Sequence, residues 1–280
     1  MTYVIHGATG AQGSPVAAAL VAAGKSVIAL TRNADTVVDG ARTVAVDASS
    51  LDALTAVYRE AEGVFVHLPM ASEENRQTYA RTIVAAVRAA RPARVVFSTS
   101  GAPLIPGSTD AVATLAGGLA DSGVAHAVIT PTLFLENLLM PYVIDTVREQ
   151  GVLPYPIRAD FPVSWASHLD IADAAVALLD HPDLTGTVSV GQYPAVTGPD
   201  LAEAFGAHFG KTVAFKPISP EEMGASVAPV IGDGPAADVT NLYKAMSALP
   251  HRSITPENSA QKLLGITPRT TKQWLTDIGL

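Results

Sequence analysis

A chain of 280 residues with 48% apolar and 16% charged side chains has the composition of a packed globule, which excludes disorder over most of its length. A formal charge of −8 repels phosphate backbones and anionic lipid, so neither nucleic acid nor a membrane is an expected partner. The absence of cysteine removes disulfides, thiolate metal sites and cysteine nucleophiles, and a reducing, cytoplasmic setting is the expectation.

Short β-branched runs predict strands at 3–6, 26–31, 43–46, 63–67, 94–98 and 125–130. Apolar residues at helical spacing predict helices between them at 12–23, 51–61, 73–90 and 111–121. The strands are almost uninterrupted apolar runs, as in a parallel sheet covered on both faces, and right-handed crossovers make this a doubly wound Rossmann α/β fold over residues 1–150. Beyond Pro131 glycine and proline recur, and residues 151–280 read as a smaller α+β lobe on the substrate side that is not an independent domain. In it, helices are predicted at 170–179 and 200–209, and a closing amphipathic helix at 268–280. Pro229, Gly232, Gly234 and Pro235 predict a long loop at 225–237. Asp170 is expected as a helix N-cap, and Ser49 with Asp52 as a capping box for the helix that begins at 51.

The first strand runs into Gly7-Ala8-Thr9-Gly10-Ala11-Gln12-Gly13, and a helix follows at once. Strand, glycine turn and helix in this order allow the backbone to approach a pyrophosphate closely, and the helix start offers unpaired N–H groups near Ala11 and Gln12. Dinucleotide binding is therefore expected. After the second strand stand Thr31 and Arg32, where an acidic residue would suit the 2′-hydroxyl of NAD(H). A guanidinium there suits the 2′-phosphate of NADP(H), which is the expected cofactor, although Asp35 keeps NAD(H) in competition and Arg32 has the alternative of a simple exposed strand end.

That turn, together with Thr31-Arg32-Asn33, Val46-Asp47, Pro131-Thr132-Leu133-Phe134-Leu135-Glu136-Asn137-Leu138 and Asp170-Ile171-Ala172, resembles the NmrA-like group of atypical short-chain dehydrogenases/reductases. The resemblance implies that Gly7, Thr9, Gly10, Ala11, Gln12 and Gly13 cradle the nucleotide and that Asp47 contacts adenine. It also implies that His67, Leu68, Pro69, Thr99, Ser100 and Pro131 flank the nicotinamide and its ribose, with Phe134 and Asn137 at the substrate edge. Competing readings stay open: turn bonding for Asp47, backbone satisfaction for Ser98, Thr99 and Ser100, and core filling for Phe134.

The Tyr-x-x-x-Lys pair of typical short-chain dehydrogenases is absent, since no tyrosine is followed four residues later by lysine. The only lysines are Lys25, Lys211, Lys216, Lys244, Lys262 and Lys272, so the segment that builds the strand ends has none, and Val112 stands near the lysine of the isoflavone reductase branch. Hydride transfer to an electron-poor ring needs chiefly alignment, so the expected function is NADPH-dependent reduction of a small acceptor such as a quinone. His67 is the expected proton donor and Ser100 the expected polarising hydroxyl, with backbone bonding the alternative for the histidine. The alternative function is a non-catalytic NADP(H) sensor. No metal is expected, because His126, His181, His208 and His251 lack ligand spacing, and the oligomeric state is left open.

Overall fold

The computed structural model describes residues 2–33, 35–59 and 61–280. In chain order they form β1 (Thr2–Ile5), α1 (Gly13–Ala22), β2 (Ser26–Thr31), β3 (Arg42–Ala45), α2 (Leu51–Tyr58), β4 (Gly63–His67), α3 (Glu73–Ala90), β5 (Arg94–Ser98), α4 (Ala111–Ala120) and β6 (Ala125–Pro131). There follow β7 (Leu133–Phe134), α5 (Pro141–Gln150), β8 (Val152–Tyr155), β9 (Trp165–Ala166), α6 (His168–Asp180), β10 (Gly186–Val190) and α7 (Gly198–Phe209). The chain closes with β11 (Ala214–Pro217), α8 (Pro220–Ile231), α9 (Asp233–Ser247), α10 (Ala260–Leu264) and α11 (Thr271–Asp277). Position 60, inside the predicted helix 51–61, lies outside the described residues.

Seven parallel strands make one sheet in the order β10-β6-β5-β4-β1-β2-β3, the Rossmann arrangement expected. β4 and β5 are apolar on both faces and are buried between helices, with Val64, Phe65, Val66, Val95, Val96 and Phe97 fully enclosed. From β1 the chain runs outward to β3 and then returns to lay down β4 on the other side, so the order reverses between β1 and β4. In open sheets of this kind ligands bind at the carboxyl ends of the strands at such a reversal.

Two compact units result. The first comprises Met1–Pro131, His168–Val190 and Glu257–Ile266; the second comprises Thr132–Ser167, Gly191–Pro256 and Thr267–Leu280. Residues 132–150 group with the second unit, while α6 and β10 belong to the first: β10 pairs with β6, and α6 packs on α1. The second unit has its own apolar core, built around Tyr155, Phe161, Trp165, Phe205 and Trp274.

The predicted loop at 225–237 is a correction: α8 runs to Ile231 and α9 starts at Asp233, joined at Gly232 with φ +88°. Pro220 and Pro235 sit in first turns, where no intrahelical partner is lost, and Pro229 sits in the last turn of α8. Ser219 and Glu222 close a capping box that starts α8. Two further corrections concern caps. Ser50, not Ser49, caps α2 by accepting from Ala53 N, and α6 begins at His168, which puts Asp170 inside its first turn. The closing helix is shorter than 268–280, capped by Thr270 and Gln273. Among the described residues no helix is long and apolar enough to cross a membrane.

Candidate active site

At the reversal between β1 and β4, the backbone leaves β1 through Gly7 at φ +58°, a conformation that glycine adopts without penalty. Gly10 N donates to Gly7 O at 2.7 Å and Ser14 N to Gly10 O at 3.0 Å, which closes the turn. A Cβ at Gly13 would lie 2.3 Å from Gly7 O and 2.4 Å from His6 O, so the helix can start this close to the strand only with glycine there. Thr9 and Ala11 are exposed, and Ala11, Gln12 and Gly13 make no hydrogen bond through their N–H groups among the described residues.

Gln12 occupies the N-cap position of α1 without capping it. Its buried amide instead accepts from Ser98 Oγ at 2.7 Å and donates to Ser100 Oγ at 2.9 Å, which fixes the start of α1 to the end of β5. The helix N-terminus is thus left open, with its partial positive charge directed outward. Ser100 adopts a left-handed conformation, φ +56°, followed by Gly101 at +87°. A non-glycine residue in that region is strained, and such strain concentrates at functional sites. Nothing in the sequence pointed to the Gln12–Ser98 pairing, because the partners are 86 residues apart.

His67, the last residue of β4, packs its ring over the glycine turn: a Cβ on Gly7 would meet His67 Nε2 at 2.4 Å. That nitrogen is buried and has no hydrogen-bond partner among the described residues. Burial pushes the His67 pKa down, so near neutrality the ring is an uncharged imidazole and a weak acid. Behind it, His6 Nε2 lies 2.5 Å from Tyr58 Oη, and burial lowers the His6 pKa to about 3. His168 at the start of α6 is lowered to about 4, first by burial and then by His67. Leu68 and Pro69 continue from β4, Leu68 buried. Thr99 is buried after β5, with its N–H on Ile129 O and its Oγ1 unpartnered, and Pro131 is the buried end of β6.

Arg32 follows β2, which is tied to the glycine turn by Ala8 N on Leu30 O. Its guanidinium is exposed and makes no ion pair or hydrogen bond among the described residues. Asp47 is exposed beyond β3, and its carboxylate accepts from Ser49 N at 2.9 Å, which holds its pKa below the ordinary value. In the second unit Phe134 ends β7 and Asn137 lies in the 3-10 turn Leu135–Leu139, both half-buried. The residues that the structure brings together are therefore Gly7 to Gly13, His67, Ser98 and Ser100.

The turn suits a dinucleotide on three counts: backbone amides open to an anion, no room for side chains behind them, and unpartnered polar atoms at His67 Nε2 and Thr99 Oγ1. Residues 7–182 match the sequence profile of a family described as NAD(P)H-binding. No curated protein matches the sequence. Several solved structures share the whole fold. A nucleoside-diphosphate-sugar epimerase from Staphylococcus aureus superposes with a TM-score of 0.80 at 17% identity, over 98% of this chain and 99% of that one. Citrobacter sp. triphenylmethane reductase complexed with NADP(H) gives 0.78 at 19% identity, over 98% of each chain. An NADPH-dependent quinone oxidoreductase of Escherichia coli complexed with NADPH gives 0.72 at 20% identity, over 99% of each.

Proposed function

The chain belongs to the NAD(P)H-binding family, and from that premise we propose that it is an NADPH-dependent oxidoreductase of the NmrA-like type that reduces a small, flat, electron-poor acceptor such as a quinone. The observation that carries this reading is a complete nucleotide turn beside strand ends that have no lysine: none occurs between Lys25 and Lys211. Without lysine there is no Tyr-x-x-x-Lys relay to protonate an ordinary carbonyl, whereas a quinone needs little acid assistance.

When bound, the reduced nucleotide supplies the hydride. The open amides from Ala11 to Gly13 bind its diphosphate, Gly7, Thr9 and Gly10 shape the turn, and Gln12 keeps the helix start uncovered. Arg32, exposed and unpaired, binds the 2′-phosphate, which selects NADPH over NADH. Asp47 accepts from the adenine amine through the carboxylate oxygen that Ser49 leaves open. Leu68, Pro69, Thr99 and Pro131 line the nicotinamide half, with Thr99 Oγ1 as a donor in need of an acceptor. Ser100 Oγ accepts from Gln12, so its own hydrogen is left to polarise the acceptor. His67, held neutral by burial, positions the turn, and the proton that completes reduction comes from water. Phe134 and Asn137 belong to the acceptor side.

Stopped-flow mixing of NADPH with a panel of quinones tests the reading, and the expected result is loss of reduced-nucleotide absorbance at a rate that saturates with quinone. Tight nucleotide binding without oxidation of NADPH by any acceptor overturns it. That outcome supports the second reading, a non-catalytic NADP(H) sensor, which the neutral His67 also favours.

A further inference from the structure

In the first unit α3 and α4 pack side by side, and a groove of about 600 Å³ lies between them, lined by Arg81, Val84, Ala85, Arg88 and Ala89 of α3 and by Gly118 of α4. Gly118 sets its floor: a Cβ there would lie 2.4 Å from Val84 Cγ2, so only glycine lets α4 settle this closely on α3. The neighbouring Gly117 is exposed and a Cβ on it would meet nothing, so the fold does not demand glycine there, although a helix interior disfavours it. From Ala111 to Ala120 α4 has no charged side chain at all. A surface helix ordinarily carries charge on its outer face, and one without it presents a face to be covered.

Charge decides what covers it. Arg81 and Arg88 stand seven residues apart at the groove, two helical turns or about 10 Å along α3. Both are exposed, and neither makes an ion pair or hydrogen bond among the described residues, whereas Arg76 pairs with Glu73 at 3.5 Å and Arg91 donates to Gly123 O at 3.3 Å. No acidic residue lines the groove. A two-fold axis through its middle would set Arg81 of one copy against Arg88 of the other, like charge on like, so a second copy of this chain is the wrong occupant. We infer that the groove binds an acidic helix of a partner protein, which lays small apolar residues on Ala85 and Ala89 and places two carboxylates, seven residues apart, on Arg81 and Arg88. The net charge of −8 repels a phosphate polymer as a whole, while two free guanidiniums attract single carboxylates locally, which favours protein over nucleic acid. The groove shares no residue with the glycine turn, so a partner held there leaves the nucleotide site uncovered.

The probe is a fluorescein-labelled alanine-leucine peptide of about 18 residues, long enough to hold a helix, with two glutamates seven positions apart; a second peptide carries lysines at those positions. Fluorescence anisotropy with the full chain should show that the glutamate peptide binds and the lysine peptide does not. Arg81→Glu combined with Arg88→Glu should weaken the glutamate peptide about tenfold and bind the lysine peptide instead, with melting temperature and NADPH affinity unchanged, because both side chains are exposed and unpaired among the described residues. Ala89→Tyr, which fills the groove from an exposed position, should also abolish binding and decides the matter if the charge-reversed protein does not fold. Equal binding of the two peptides, binding of neither, undiminished binding of the glutamate peptide by the charge-reversed protein, or tighter binding of a single-stranded oligonucleotide than of the glutamate peptide each overturn the proposal. So does a dimer of the natural protein, read by light scattering, that the charge reversal dissociates, since the occupant would then be a second copy.

Discussion

Arg32 and Gly7 carry the sharpest predictions at the scale of single residues. The guanidinium of Arg32 has no partner among the described residues, so replacing it removes a ligand contact and little else. Arg32→Ala should weaken NADPH about 10- to 100-fold, the worth of one charged hydrogen-bonding contact, and leave NADH nearly unchanged, as read by calorimetry with each nucleotide. Gly7→Ala meets two penalties, a positive φ and a Cβ 2.4 Å from His67 Nε2. It should abolish nucleotide binding and lower stability by about 2 kcal/mol. Because the clash is with a side chain and not with backbone, the double variant Gly7→Ala, His67→Ala should recover part of that stability, while Gly13→Ala, which strikes backbone oxygens at 2.3 and 2.4 Å, has no such rescue. Equal stability in the single and double variants, measured by urea denaturation, would show that the ring does not press on the turn.

Among the elements, strands buried on both faces were legible in the sequence, while of the two edge strands β3 was predicted at 43–46, one residue late, and β10 was not predicted. β4 and β5 are unbroken apolar runs between helices, and their predicted limits, 63–67 and 94–98, are the observed ones. β10 escaped because its apolar signal is short: Gly186 and Thr187 are exposed, only Val188 and Val190 are buried, and its partner β6 is 59 residues away along the chain. α8 and α9 escaped because proline and glycine are loop signals, though here Pro220 and Pro235 fall in first turns that tolerate them and Gly232 joins the two helices. The capping box at Ser219 is the local signal that outweighed them. Ser219→Ala should accordingly cost about 1 kcal/mol in urea denaturation without altering nucleotide affinity. At the candidate site, the glycine turn and Arg32 were readable because local sequence order dictates them. The bonds from Gln12 to Ser98 and Ser100 and the packing of His67 on Gly7 were not, since they exist only once distant strands lie side by side.

Across the whole molecule, buried histidines make folding sensitive to acid. His6 and His168 titrate near the ordinary value of 6.5 when unfolded but only at about 3 and about 4 when folded, so between those limits the unfolded chain binds protons that the native state refuses. Stability is therefore complete above 6.5 and declines as the pH falls, by about 1.4 kcal/mol per pH unit for each histidine. Urea denaturation near pH 7 and near pH 5 should differ by about 4 kcal/mol, and His168→Gln should remove about half of that difference. A difference unaltered by His168→Gln would assign the acid sensitivity elsewhere.

The first unit draws on three separated stretches of chain, the last of them Glu257–Ile266, which meets β10 through a bridge between Ser189 and Ser259. During synthesis the glycine turn emerges well before the body that holds it is finished, which happens only when residue 266 has left the exit tunnel. The nascent protein must therefore hold its seven-stranded sheet with the outer flank of β10 open to chaperones and to other growing chains until Ser259 arrives to bridge Ser189.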